Sequence, residues 1–138
     1  MGRVTAADPW GLAAYTMDSH NCRRIVMGGR VKNEGNVEVG GFTPYPISYR
    51  SIVPRERECA NLLVPVCLAA SHIAYGSIRM EPVFLVLGES AALAAALALA
   101  SRRPVQDVPY RTLRKKLEQA QQILEWTPPR TWHPIRAH

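Results

Sequence analysis

The sequence predicts a mixed α/β fold, or α+β if its segments stand alone, and three observations predict it. Residues 22–39 are short β-prone runs broken by turn signals. Residues 61–68 form a compact apolar run followed by a small-residue turn and a long apolar segment, the pattern of strand, loop and buried helix. Residues 109–126 repeat apolar side chains near the helical period. With 138 residues, 47% of them hydrophobic, the chain can bury one modest core.

Taken in order, residues 1–21 show little periodicity, and Asp8-Pro9 with Gly11 reads as an irregular lead-in. "CRRIVMGGRVKNEGNVEV" (22–39) places turns at Gly28-Gly29 and Asn33-Glu34-Gly35, which predicts a hairpin or small antiparallel sheet. Pro44, Pro46 and Pro54 interrupt the next stretch, leaving Ile47–Ile52 as a short extended piece. "NLLVPVCL" (61–68) is continuously apolar, as in a strand covered on both faces of a parallel sheet, although Pro65 would remove one ladder donor. "AASHIAYGSIRM" reads as a loop. A helix is expected from about Pro82 to Ala100, with Pro82 in the first helical position, where its missing N–H costs nothing. Leu113, Leu117, Ala120 and Leu124 mark the buried stripe of a last amphipathic helix, and the proline-rich tail 127–138 is expected to be loose. The boundaries that follow are 1–60, 61–108, 109–126 and 127–138.

Charge and cysteine content exclude several classes. The net charge of +6 permits binding to polyanions, but the basic residues are scattered, with no zinc-finger spacing or basic zipper. No nucleic-acid partner is expected. Cys22, Cys59 and Cys67 are odd in number and form no C-x-x-C pair, against a disulfide framework or structural zinc; Cys67, inside an apolar run, reads as a small buried side chain. The first residues lack a basic-then-apolar leader and the Ser or Thr at position 6 of a myristoylation signal; the location is unknown, the cytoplasm being only a default, because the true N-terminus is expected to be missing.

The segment Gly76–Ala100 carries the most specific pattern: "SIRMEP" stands at the mouth of a run with one charge, Glu89. Three readings compete, a membrane span, a core helix, and a helix whose start faces a ligand. A span needs about 20 predominantly apolar residues. Glu89 and seven alanines within Val83–Ala100 argue against it. A helix apolar all round is otherwise buried all round. Its N-terminus offers unpaired N–H groups and partial positive charge to an electron-rich ligand, and Arg79 would add fixed donors.

"NLLVPVCLAASHIAYGSIRMEPVFLVLGESAALAAALALA" resembles the closing segment of FAD-dependent oxidoreductases in the glutathione-reductase-like superfamily, more narrowly a group widespread in bacteria. "YTMDSHNCRRIV", "YPISYRSIVPRERECANLLVPV" and "PVQDVPYRTLRKKL" are similar to the same group, extending the resemblance over roughly Tyr15–Ala100 and the short segment after it. The resemblance implies an FAD-binding Rossmann-type enzyme acting on a small molecule. It implies that Ser77, Ile78, Arg79, Met80 and Glu81 form the flavin-side turn, with the following helix dipole favouring negative charge on a reduced flavin. The group opens with a G-x-G-x-x-G turn for the FAD pyrophosphate, and no G-x-G occurs in these 138 residues. The chain is therefore expected to be the C-terminal part of a longer enzyme, inactive alone and prone to self-association through an unpaired edge of 61–68. The alternative is a non-catalytic remnant or interaction module without cofactor.

Other candidates are weaker in chemistry. His72 is the candidate catalytic residue, lining the flavin or substrate pocket, against a histidine that merely bonds a loop carbonyl. Ser71-His72 lacks an ordered triad, and "GESAA" lacks the second glycine of a nucleophile elbow. Asp18-Ser19-His20-Asn21 has the polar density of a site, but two potential ligands do not make a metal centre. Tyr49-Arg50 resembles a family segment near the active site, or else packs as an aromatic beside a surface arginine.

Overall fold

A computed structural model describes residues 6–129, so residues 130–138 of the proline-rich tail lie outside the described residues. Six strands and three α-helices follow one another: β1 (Pro9–Ala13), β2 (Met17–Ser19), β3 (Arg23–Met27), β4 (Arg30–Glu34), β5 (Val37–Val39), β6 (Tyr45–Ser48), α1 (His72–Ile78), α2 (Glu81–Ser101) and α3 (Tyr110–Gln119). Short 3-10 turns at Tyr49–Ser51 and Val105–Asp107 complete the order. The strands form three antiparallel pairs, β1–β6, β2–β5 and β3–β4. The fold is mixed α/β.

The expected hairpin is β3–β4, in register from Arg23↔Glu34 to Met27↔Arg30. Its two-residue turn is Gly28-Gly29, at φ 60° and 73°, the left-handed region that suits the strands' twist and that glycine enters without strain. Of the lead-in expected to be irregular, residues 1–5 lie outside the described residues, and the rest contains β1 and β2. β1 pairs with β6, and Trp10 within it is fully buried. The extended piece after Pro44 is Tyr45–Ser48, after which Ser48 accepts the Arg50 N–H and winds the chain into a 3-10 turn.

Residues 61–68 do not form a strand, and no parallel pair exists among the described residues. Pro65 has no N–H to give a ladder. The neighbouring backbone instead makes isolated bonds, Val64 N–H to Ile52 O at 2.9 Å and Ala69 N–H to Ser51 O at 2.6 Å. Leu68 is buried, whereas Leu62, Val66 and Cys67 are exposed, so Cys67 is not the buried side chain expected. The strand edge on which self-association was premised is not formed.

The loop expected after this run contains α1. Ser71 caps it, its hydroxyl accepting the Ala74 N–H at 3.2 Å. At Arg79–Met80 the chain leaves the helix and re-enters it as α2 one residue earlier than expected, with Pro82 in second position. The break has a covalent cause: a continuous helix would need an N–H that Pro82 lacks, and would drive its ring into the Ile78 carbonyl.

α2 is long and apolar enough to cross a membrane by length and composition. It is not buried all round. Leu87, Ser90, Ala91, Ala94 and Ala98 form its buried stripe, while Leu85 and Leu99 on the outer side are 75% and 79% exposed. β1 lies against the inner face so closely that a Cβ on Gly11 would fall 3.0 Å from Val86 Cγ1. Ser90 ties the two elements by donating to Trp10 O at 3.0 Å. α3 covers the same side with Leu113 and Leu117, both 0% exposed. α3 stops at Gln119, shorter than the amphipathic pattern, because Gln121 turns left-handed at φ 62°; Leu124 still reaches the core from beyond the helix.

The aromatic centre of this core is a T-shaped pair, Trp10 and Tyr49, with ring centroids 5.6 Å apart. Of the two readings of Tyr49, packing is what the structure shows: the ring is buried, and its hydroxyl donates to Val105 O at 2.7 Å. Arg50 is exposed.

Two outcomes follow from this packing. Ala94→Leu, on the buried stripe, is expected to lower stability by about 1–3 kcal/mol through overpacking. Ala96→Leu, on the exposed side, is expected to leave the urea midpoint within error; equal losses would mean that both faces are covered. Burial pushes the Tyr49 phenol from 10.0 up to about 12, so folding favours its protonated form. That contribution is complete below about pH 10 and lost as pH rises to about 12, provided the unfolded phenol titrates normally. Tyr49→Phe should flatten the fall in stability over that window, measured by urea titrations at stepped alkaline pH.

Candidate functional site

The corner between α1 and α2 gathers the sequence-predicted cofactor residues on a platform made by β2. β2 is held by β5, with Asp18 opposite Glu38. α1 lies against β2 at contact distance: a Cβ on Gly76 would fall 2.7 Å from Asp18 O, so no larger residue fits there without moving backbone. The adjacent Ser77 is fully buried and donates its hydroxyl to Tyr15 O. Together these contacts fix the end of α1. The guanidinium of Arg79, the next residue but one, then meets the Asp18 carboxylate in a half-buried ion pair.

The five predicted residues therefore divide by role. Ser77 and Ile78 are buried and support the corner from within. Arg79 and Met80 are half-buried, and Glu81 is exposed at the first position of α2. Met80 is extended and caps the helix with no side-chain bond. Its carbonyl accepts from Val83 N–H at 2.9 Å and Phe84 N–H at 3.1 Å, and Pro82 has no N–H. The Glu81 N–H makes no hydrogen bond among the described residues, as is usual in the first turn of a helix. Arg79, whose guanidinium contacts Asp18, and the start of α2 are adjacent in sequence at this bend, and both are donor groups of the kind that suits an electron-rich or anionic edge.

Aromatic groups flank this donor set. Tyr75 and Phe84 pack across the corner with centroids 6.3 Å apart, and the Tyr75 hydroxyl donates to Val66 O at 3.2 Å. The Tyr45 phenol is raised by burial, an effect that the neighbouring Ser77 opposes. Ser77 spends its own proton on Tyr15 O, which leaves its oxygen as the acceptor facing the buried Tyr45 hydroxyl.

The remaining candidates separate from the corner. His72 is exposed in the first turn of α1, two turns from Arg79, or about 10 Å along the axis, and the helix does not bring the two together. Ser71 beside it serves as the α1 cap. Of Asp18-Ser19-His20-Asn21, Asp18 is the member used at the corner; Ser19 only donates to His20 O at 3.4 Å. Among the described residues no three His, Cys, Asp or Glu side chains cluster as a metal site. Sequence reasoning missed Asp18 as the partner of Arg79, since 61 residues separate them. The small residue Gly76, one turn before Arg79, was the available signal of a close approach.

Comparison with known proteins places a family on this chain. The family model described as FAD dependent oxidoreductase matches residues 1–117. No curated protein and no solved structure matches the chain.

The docking of α1 on Asp18 predicts opposite effects from two like substitutions. Gly76→Ala is expected to destabilise the fold by about 1–3 kcal/mol, because the methyl group meets backbone. Gly88→Ala, whose Cβ would enter open space within α2, is expected to stabilise it by roughly 0.5–1 kcal/mol through helix propensity. Thermal melts of both variants check this, and a neutral Gly76→Ala would mean that α1 stands off from β2.

Proposed function

The chain belongs to the FAD dependent oxidoreductase family, and from that premise we propose that the α1–α2 corner is its flavin-side turn. The observation that carries the reading is the placement of Arg79, anchored by Asp18, beside the uncapped start of α2. The donor set fits the pyrimidine edge of a flavin, which presents carbonyl and ring-nitrogen acceptors and becomes electron-rich on reduction.

FAD, when bound, supplies the electron or hydride transfer to or from a small-molecule substrate. The chain's own residues orient and tune. Arg79 presents a cation whose direction is set by Asp18, and the Glu81 N–H offers a backbone donor at the helix end. Ser77 and Ile78 keep the corner rigid from inside, and the inner face of α2 anchors it to the core. His72, exposed two turns away, is available to a substrate rather than to the cofactor in this reading.

The test is titration of the chain with FAD, followed by flavin fluorescence and by backbone amide shifts. Saturable changes at Arg79 and Glu81 are expected, with weak affinity because no G-x-G-x-x-G turn is present in the sequence to hold the pyrophosphate. Arg79→Ala should weaken the effect about tenfold, in line with loss of one charge-assisted hydrogen bond. Lys115→Ala should leave it unchanged. A folded chain that leaves added FAD unaffected would instead support a family module that keeps the fold without the cofactor.

A further inference from the structure

On another part of the molecule the segment 48–55 borders a cleft of about 910 Å³, lined among others by Asp8, Tyr49, Arg50, Arg55, Gln106 and Tyr110. That size is within the roughly 300–1,000 Å³ typical of small-ligand sites. Both tyrosines are committed through their hydroxyls, Tyr49 to Val105 O at 2.7 Å and Tyr110 to Pro9 O at 2.6 Å, so their rings form a fixed wall. The backbone carrying the two arginines is pinned as well. Ser48 Oγ accepts the Arg50 N–H at 3.2 Å, and Gln106 Nε2 donates to Pro54 O at 2.8 Å and Cys59 O at 2.9 Å, on either side of Arg55.

The guanidinium groups themselves are not committed. Arg23, Arg79 and Arg114 each pair with an acid, whereas neither Arg50 nor Arg55 does among the described residues. Asp8, the acid in the same lining, accepts from Ser48 Oγ at 2.6 Å. An exposed arginine on a convex surface is ordinarily solvated. Two on pinned backbone, sharing a concave site with fixed aromatic rings, are different in kind.

We propose that this cleft binds a small organic anion, a carboxylate or a phosphate ester, through Arg50 and Arg55. Each guanidinium presents a planar fork of N–H donors that matches two oxygens of such a group, and the pinned backbone reduces the ordering required on binding. The partly exposed Tyr110 and Val53, backed by the buried Tyr49 and Val108, receive the apolar body of the ligand. The site shares no residue with the flavin-side turn, so either assignment can fail without the other.

The experiment is a 15N NMR titration of the 138-residue chain at low, fixed ionic strength, with succinate and inorganic phosphate in separate series. Saturable shifts of the Arg50 and Arg55 side-chain N–H signals are expected. Arg50→Gln and Arg55→Gln should each weaken binding about tenfold, while Lys115→Gln leaves it unchanged. Stronger saturation by succinate assigns a carboxylate, and by phosphate a phosphate ester. The substituted side chains are exposed, and the spectra of the variants report directly on their fold. No saturable response to either anion, or the same response in both arginine variants, would overturn the proposal, since diffuse attraction to a cationic chain survives the loss of one charge.

Discussion

The contact of β1 with the inner face of α2 is the constraint on which the other elements depend. Gly11 admits the helix to within 3.0 Å of where a Cβ would stand, and the Ser90 hydroxyl joins Trp10 O across the seam. That approach buries Trp10 completely and packs its ring in a T-shaped contact with Tyr49. β6 follows because it pairs with β1, and the 3-10 turn after β6 delivers Tyr49 to the same core. α3 then closes this side of α2 with Leu113 and Leu117. Burial of large aromatic and aliphatic side chains, each worth about 1.5–3 kcal/mol for the aliphatic ones, concentrates here and not in the short strand pairs. The β3–β4 hairpin, exposed along nearly its whole length, contributes little to that core.

The proposed cofactor corner is built by a different kind of constraint. Proline chemistry ends one helix and permits the next to begin, which leaves Arg79 and Met80 at a bend beside the positive end of α2. The bend alone would not orient Arg79, whose long side chain has several rotamers. Asp18 selects one, and it can do so only because Gly76 lets α1 settle on β2. A three-residue strand that looks minor in the topology thus determines where the cation stands.

α2 joins these two regions, and its composition explains how. Alanines on the inner face allow β1 and α3 to come close, so a long helix packs with little side-chain bulk between backbones. The outer face is nearly as apolar, which is why the sequence pattern alone implied burial on every side. In this chain the covering elements reach one side only.

What the sequence determined by itself is whatever rests on local chemistry. Gly28-Gly29 and the flanking β-prone residues specify the hairpin, Pro82 and the Leu- and Ala-rich run specify where α2 begins and ends, and Leu113 with Leu117 specify the buried side of α3. The residues of the corner were also legible, as an arginine placed at a helix mouth. Tertiary structure decided the rest. Residues 61–68 are apolar enough for a strand but find no ladder partner, and Pro65 makes pairing costlier, so they follow the 3-10 turn as irregular chain. α1 is too short for propensity to establish and forms where Ser71 caps it and β2 receives it. The Asp18–Arg79 pair and the Arg50–Arg55 cleft join residues through folds of the chain that no local pattern encodes. Local propensity acts over a few residues, whereas burial and charge pairing depend on which distant segments the finished core brings within reach.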